Sequence, residues 1–318
     1  MDANDVRIFC ALAITGPPDV IRASRPGTLR HVARDLNLDE KTVRTRLRRM
    51  EDEGFIKYYQ VAPDLTLLGM GVESACRFEA VNLATKVAAL RAAETLPGMV
   101  EALDFLGPSF VVEIAGPSLE RAIEVHRSLA HRFELDRFEQ GRRELSQCDA
   151  RLSVLDWRIV ERMRFDAHAP LREVAGELGI TPRMVRYRLN KMHSSRAVSI
   201  RPIIDSRTLR GLILYRLALT FDPARQQEIL EDLRRHLGGS IWATRLSLAG
   251  PLLVDMFGSS IADPEDAALR SLEVPGVKAC RALVLKEVRE PARGTWVDLK
   301  ISELASGRGP LKVAPPGS

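Results

Sequence analysis

Residues 41–50, KTVRTRLRRM, place five cations within ten positions and contain no acidic residue. The stretch recurs at residues 183–192 as RMVRYRLNKM, with the pattern Val-Arg-x-Arg-Leu-x-x-Met intact. The whole chain has 47 Lys and Arg against 42 Asp and Glu, so neither stretch reflects the average composition. A surface accident is not expected twice, and the recurrence therefore indicates a duplicated structural unit.

A constant offset of 142 positions relates the two copies. It carries Val32 onto Val174 and Leu47 onto Leu189, along with other apolar residues at helical spacing. Both copies are therefore expected to bury the same face. Two copies indicate a tandem duplication rather than a solenoid of repeats.

Each copy contains the start signals of a helix-turn-helix. Asp39 is predicted to cap the first basic helix, after a short helix that begins at Thr28. Thr181 is predicted to cap the second, and Pro182 then takes the first helical position, where a missing N–H costs nothing. An apolar-periodic helix precedes each pair, and a β-rich segment follows it, GFIKYYQV or RAVSIRPI. This order predicts two winged helix-turn-helix units.

A helical wheel predicts which side chains of the basic helices face outward. Val43, Leu47 and Met50 form the buried stripe of the first helix. Arg46 and Arg188 lie at the edge of the buried stripes. The aliphatic part of each side chain should therefore pack against the core, and the guanidinium group should make a structural or phosphate contact. The side chains predicted to meet DNA are Lys41, Arg44, Thr45, Arg48 and Arg49 in the first copy and Arg183, Arg186, Tyr187, Asn190 and Lys191 in the second.

A single basic amphipathic helix is more often a solvated surface than a DNA-binding element. Two copies, each with a capped helix, a tight turn and a wing-like strand, favour DNA binding. In the major groove Arg pairs bidentately with guanine and Asn with adenine, while flanking cations supply salt-sensitive affinity. Because the two outward sets differ, the copies are predicted to be non-equivalent DNA-reading heads.

Residues 154–192 contain an Asp-x-x-Ile opening and a Val-x-x-Arg-Leu basic helix, in VLDWRIVERM and LREVAGELGITPRMVRYRLNKM. These motifs resemble the Lrp/AsnC family of leucine-responsive and asparagine regulators, and the first copy is similar. The family's glycine before the wing is present as Gly54, whereas the second copy has Arg196 there. Glycine suits a left-handed cap at such a turn, so Arg196 departs from the pattern.

Strand and helix signals alternate after each winged helix. In the first copy the predicted order is a strand at 71–80, a helix at 83–95, two strands, a helix at 118–133 and a strand at 137–145. This βαββαβ order is ferredoxin-like, and residues 212–288 repeat it. The predicted class is α+β, with winged helix-turn-helix domains at 1–62 and 148–204, ferredoxin-like domains at 63–147 and 205–290, and a C-terminal extension at 291–318.

The resemblance also bears on assembly and ligands. In the family this domain forms the dimer and binds small effectors between the paired sheets. Two such domains in one chain are therefore expected to form an internal pseudo-dimer, and assembly into a further homo-oligomer stays an open alternative. Gly107 and Gly250 match the family's effector loop, but their neighbours favour a plain tight turn. Within the extension, we expect a strand at about 296–301 and a disordered tail from Ser306.

Enzymatic interpretations find little support in the sequence. There is no glycine-rich phosphate loop or nucleophile elbow, and the four cysteines lack metal-ligand spacing, so neither a cofactor nor a metal is expected. The N-terminal apolar run is too short for a signal peptide or a membrane span, which favours a cytoplasmic protein. One class stays open, because siroheme decarboxylases resemble the same architecture. The residues considered for it are His236, Trp242 and Arg245 in the second copy and Leu96, Glu101 and Asp104 in the first.

These observations predict a sequence-specific transcriptional regulator that binds double-stranded DNA and is not an enzyme.

Overall fold

The computed structural model describes residues 2–13, 28–238, 241–245 and 251–307. The helices are α1 (Ala3–Ala13), α2 (Thr28–Asp35), α3 (Glu40–Asp52), α4 (Leu83–Ala93), α5 (Leu119–Phe133), α6 (Val154–Met163), α7 (Leu171–Leu178), α8 (Pro182–Ser194), α9 (Gln226–Leu237), α10 (Asp263–Leu272) and α11 (Trp296–Ala305). The strands are β1 (Ile56–Pro63), β2 (Val72–Glu79), β3 (Met99–Phe105), β4 (Ser109–Gly116), β5 (Asp136–Glu144), β6 (Val198–Ile204), β7 (Ile213–Phe221), β8 (Ile241–Arg245), β9 (Leu252–Gly258) and β10 (Val277–Arg289). The α+β class is confirmed.

Local signals set the starts of the two basic helices as predicted. The Asp39 carboxylate accepts a hydrogen bond from the Thr42 backbone N–H at 2.8 Å, and α3 begins at the next residue after Asp39. The Thr181 hydroxyl accepts from the backbone N–H of Met184 at 3.2 Å, with proline at the first position of α8. Each cap satisfies a backbone donor that the first helical turn leaves unpaired.

The two wings pair with each other. Strands β1 and β6 form an antiparallel sheet in which Val61 lies opposite Ile200. Val61 also packs in the hydrophobic core of the second winged helix, while Ile204 of β6 packs in the core of the first. Each winged helix is therefore completed by a strand from the other copy.

The ferredoxin-like parts share one sheet. The described strands follow the order β5-β2-β4-β3-β10-β7-β9-β8, in which the first four and the last four have the same ferredoxin-like arrangement. The two halves meet where β3 pairs antiparallel with β10, with Phe105 opposite Leu285. Helices α4 and α5 cover the first half, and α9 and α10 cover the same side of the second.

Backbone conformation repeats with the duplication. Asn37 of the first copy corresponds to Gly179 of the second. Both residues have a positive φ, at 53° and 66°, in the turn before the basic helix. Arg196 has a φ of 60°, where Gly54 has 74°. The second copy thus forms the same left-handed turn into its wing despite a side chain, at a cost of roughly 1–2 kcal/mol.

The strand expected at 296–301 is wrong, because this segment belongs to helix α11. Val297, Ile301 and Ala305 recur every four residues and pack against the core around α6, which is a helical and not a strand period. The Trp296 indole N–H donates to the Met99 carbonyl oxygen at 2.7 Å and so ties α11 to the first half of the sheet. Ser306 caps this helix, and the remainder of the predicted disordered tail, from 308, lies outside the described residues.

Candidate DNA-binding surface

The buried stripe of each basic helix fixes which residues face outward. In α3, Val43, Leu47 and Met50 are buried, as the wheel predicts. In α8, Val185 and Met192 are buried, while the third stripe residue, Leu189, is partly buried against the same core. The opposite face of each helix is consequently turned to solvent.

The cations of α3 are less available than the sequence indicates. All five predicted contact residues are exposed, but Arg44 forms an ion pair with Glu40 at 2.7 Å. Arg49 pairs with the fully buried Asp5. Among the described residues, Lys41 and Arg48 are the α3 cations without an ion-pair partner. Part of the positive charge of α3 is therefore already neutralised within the protein.

Buried acids hold the third cation of each pattern. Arg46 lies 2.9 Å from Asp5 of α1, and Arg188 lies 2.8 Å from Asp156 of α6. Although burial alone would raise it, hydrogen bonds from Ser153 and Arg188 lower the pKa of Asp156. Arg46 and Arg188 thus have the structural role that their position on the wheel predicts.

The two acids that hold Arg46 and Arg188 could have been found from the sequence, but they are not related by the offset of 142. Asp5 and Asp156 begin the two Asp-x-x-Ile motifs but lie 151 positions apart. The connection from the first to the second helix is therefore nine residues longer in the first copy than in the second.

Helix α8 presents a cleaner cationic face. Its predicted contact residues are all exposed, and within the described part of the chain none has a side-chain hydrogen bond or ion pair: Arg183, Arg186, Tyr187, Asn190 and Lys191. The helix contains no acidic residue, whereas α3 contains Glu40, Glu51 and Asp52. Tyr187 is 64% exposed, which places an amphipathic ring among the cations.

A buried lysine of the protein contacts the loop that was considered for an effector. Gly107 has a φ of 78° in the turn between β3 and β4, and its carbonyl oxygen accepts from the Lys86 ammonium at 2.7 Å. Lys86 is buried and also forms an ion pair with Asp104 at 2.6 Å. The equivalent Gly250 lies outside the described residues.

The residues considered for tetrapyrrole chemistry do not form a described site. His236 is exposed on α9, where its Nδ1 lies 2.8 Å from the Asp232 carbonyl oxygen. Trp242 and Arg245 are on β8, but their side chains lie outside the described part. In the first copy Asp104 is buried between two lysines, so its carboxylate is occupied by ion pairs. Within the same part of the chain, no group of three or more His, Cys, Asp or Glu side chains is placed to hold a metal ion.

Comparison with known proteins supports this architecture. A family model described as winged helix-turn-helix DNA-binding matches residues 28–57. The crystal structure of the siroheme decarboxylase NirDL has 13% identity and a TM-score of 0.55, over 96% of this chain and 99% of that chain. This full-length similarity shows that the chain shares the overall fold of NirDL.

Two further solved structures are similar to this chain in whole or in part. NirDL in complex with an iron-uroporphyrin III analogue has 14% identity and a TM-score of 0.54, again over 96% and 99% of the two chains. AsnC of E. coli is 16% identical, with a TM-score of 0.37, and covers 46% of this chain and 99% of its own. No curated protein matches the sequence. Among the residues that the structure describes, no helix is long and apolar enough to cross a membrane.

Proposed function

We propose that the protein is a sequence-specific DNA-binding transcriptional regulator. The observation that carries this proposal is the outward face of α8, where cations, an amide and a phenol stand exposed with no acid on the helix. Side chains of these types contact phosphates and base edges when a recognition helix lies in the major groove. The matched winged helix-turn-helix at 28–57 supports the same role for the first copy.

We further propose that one chain acts as a pseudo-dimer with two non-equivalent DNA-reading heads. The pairing of β1 with β6 and of β3 with β10 supports this, because both contacts join the two copies. The first head offers Lys41, Thr45 and Arg48, with Arg44 and Arg49 held by acids. The second head has no such neutralisation, and we assign it the larger share of the electrostatic affinity.

Salt-dependent binding of labelled duplex DNA tests the proposal. If about six phosphates are neutralised, log K should fall with log salt at a slope near −5. The variant Arg183→Ala/Arg186→Ala/Lys191→Ala should lose about half of that slope. The matched control, Arg91→Ala/Arg127→Ala/Arg234→Ala, removes three exposed cations from helices of the ferredoxin-like halves and should keep it. A flat salt response, or equal loss in both variants, would contradict the proposal.

A second candidate function is tetrapyrrole chemistry, favoured by the full-length similarity in fold to NirDL. Fold similarity does not determine activity. Incubation of the purified chain with siroheme, followed by analysis for a decarboxylated product, distinguishes the candidates. Product formation together with a changed absorbance spectrum would support the enzyme, while an unchanged spectrum without product would exclude it.

A further inference from the structure

One tyrosine of the two-stranded wing sheet contacts both winged helices. Tyr59 of β1 packs against the hydrophobic core of the first unit and against that of the second. Among the described residues, it is the one hydrophobic residue that belongs to both of these clusters. Tyr59 therefore lies at the junction of the two proposed DNA-reading heads.

The hydroxyl group of Tyr59 joins the wing to the first basic helix. It donates a hydrogen bond to the Oε1 atom of Glu51, in the last turn of α3, at 2.8 Å. Burial and this bond to Glu51 raise the pKa of Tyr59 well above its ordinary value of 10, so the hydroxyl stays protonated and remains a donor at neutral pH. The bond holds the C-terminal end of α3 against β1.

The backbone and the ring of Tyr59 reach the second unit. The Tyr59 carbonyl oxygen accepts a hydrogen bond from the backbone N–H of Ala167 at 2.8 Å, in the connection between α6 and α7. The Tyr59 ring lies against the imidazole of His168 in the same connection, with 4.4 Å between the ring centroids and a tilt of 35°. A path of direct contacts therefore runs from α3 through Tyr59 to the helix-turn-helix of the second unit.

The duplication does not repeat this arrangement. The offset of 142 carries Glu51 onto His193 and Tyr59 onto Arg201, so the second copy lacks both the carboxylate and the phenol. Arg201 is exposed, and its Nε donates to the Ser199 hydroxyl of its own strand at 3.3 Å. Because β6 forms its half of the wing sheet with arginine at this place, strand pairing alone does not account for Tyr59.

We propose that Tyr59 is a positioning residue that fixes the separation of the two DNA-reading heads, so that the chain binds duplexes whose half-sites lie at one spacing. The inference rests on the proposed DNA-binding function. One base pair inserted between the half-sites moves one of them by ~3.4 Å along the axis and turns it by ~35°. We expect both heads to follow this shift only when the bond between Tyr59 and Glu51 opens, so the bond contributes to the rejection of such DNA.

Binding of two duplexes to the full chain tests the inference. The first duplex carries the half-sites at the separation that the wild type selects from a random pool, and the second has one more base pair between them. The wild type is expected to prefer the first. In Tyr59→Phe and in Glu51→Ala the ratio of the two dissociation constants should fall about fivefold, the ratio that one hydrogen bond of ~1 kcal/mol gives, because no bond remains to be opened. Glu51→Gln keeps an acceptor and should keep the wild-type ratio.

The neighbouring tyrosine of the same strand supplies the control. Tyr58 contacts Phe165 of the second unit, with ring centroids 6.1 Å apart, and is in neither of the two core clusters. Tyr58→Phe should therefore leave the ratio unchanged. A merely structural role of Tyr59 would weaken binding to both duplexes equally, which also leaves the ratio unchanged. Circular dichroism and thermal melting establish that each variant is folded.

The separation of the heads can also be measured without DNA. Nitroxide labels attached through a ketone-bearing amino acid at positions 52 and 194, the last residues of α3 and α8, report the distance by electron–electron dipolar spectroscopy. One narrow distribution is expected for the wild type and a broader one for Tyr59→Ala, which removes the ring and the hydroxyl.

An unchanged ratio in Tyr59→Phe, or an equally narrow distribution in Tyr59→Ala, would overturn the inference and leave the proposed DNA binding intact. A wild type that enriches no duplex would contradict the proposed function, and the inference with it.

Discussion

Arg188 of α8 forms an ion pair with Asp156 of α6 at 2.8 Å, and this contact fixes the basic helix to the first helix of its unit. Arg46 and Asp5 make the same contact in the first copy. The two acids are buried, so their charges depend on these arginines for compensation. The duplicated cationic pattern therefore serves two purposes, in that one arginine of each copy orients the helix while others remain available to DNA.

Replacement of Asp156 by alanine should destabilise the second winged helix by about 1–3 kcal/mol, because Arg188 would then be a partly buried charge without its acid. Urea unfolding followed by circular dichroism measures the effect. Glu177→Ala removes the exposed partner of Arg162 and should leave the free energy of unfolding nearly unchanged, because solvent screens an exposed ion pair. Equal effects of the two substitutions would show that the buried pair has no special role.

Two arginines of α3, Arg48 and Arg44, can be compared in a DNA-binding measurement. Arg48 has no ion-pair partner among the described residues, whereas Arg44 is held by Glu40. Arg48→Ala should weaken DNA binding by about 1–3 kcal/mol if it contacts a base, and Arg44→Ala should weaken it less. Thermal melting should be nearly unchanged in both variants, because neither residue is on the buried stripe. A larger loss for Arg44→Ala would reverse the assignment.

A buried histidine should make stability depend on pH. Burial lowers the pKa of His126 to about 4 from an ordinary 6.5. Because the unfolded chain binds the proton more readily, the stabilisation is fully present above pH 6.5 and is lost as the pH falls towards 4, to a total of about 3 kcal/mol. Urea unfolding between pH 7 and pH 4 should therefore show a steeper decline for the wild type than for His126→Leu. Parallel curves would contradict the neutral state of His126.

A second titrating group acts in the opposite direction. Burial and the nearby Glu101 carboxylate raise the pKa of Glu290 to about 7 from 4.5. The folded protein then holds this proton more tightly than the unfolded chain, so its contribution is present below pH 4.5 and is lost as the pH rises to 7. Glu290→Gln should increase the free energy of unfolding at pH 8 relative to the wild type by about 1–3 kcal/mol. No gain at pH 8 would show that the carboxyl group is solvated.

Local patterns in the sequence were sufficient for the parts of the fold that depend on neighbouring residues. The caps at Asp39 and Thr181 and the buried stripe of α3 follow from spacing within one or two helical turns. The sequence did not reveal that Arg49 is held by Asp5, because these residues are 44 positions apart and meet only after the three helices pack. The buried ion pair between Arg216 of β7 and Asp255 of β9 was missed for the same reason.

The segment at 296–301 shows a different limit. A strand is expected there from the sequence, but the segment packs along α6, and the helical period is the one that buries Val297 and Ile301. Packing against a distant element decided between two local possibilities. The exchange of β1 and β6 between the copies likewise depends on the arrangement of the whole chain.

Selection of duplex fragments bound by the full chain, from a random pool, tests the central proposal most directly, with the wild type and Asn190→Ala compared in parallel. Two unlike half-sites are expected, separated by about one helical turn, ~34 Å, or a multiple of it. Asn190→Ala should relax the preference at one adenine of the second half-site and leave the first half-site unchanged. An absence of enriched sequence, or a symmetric palindrome per chain whose every position is unaffected by Asn190→Ala, would contradict two non-equivalent DNA-reading heads.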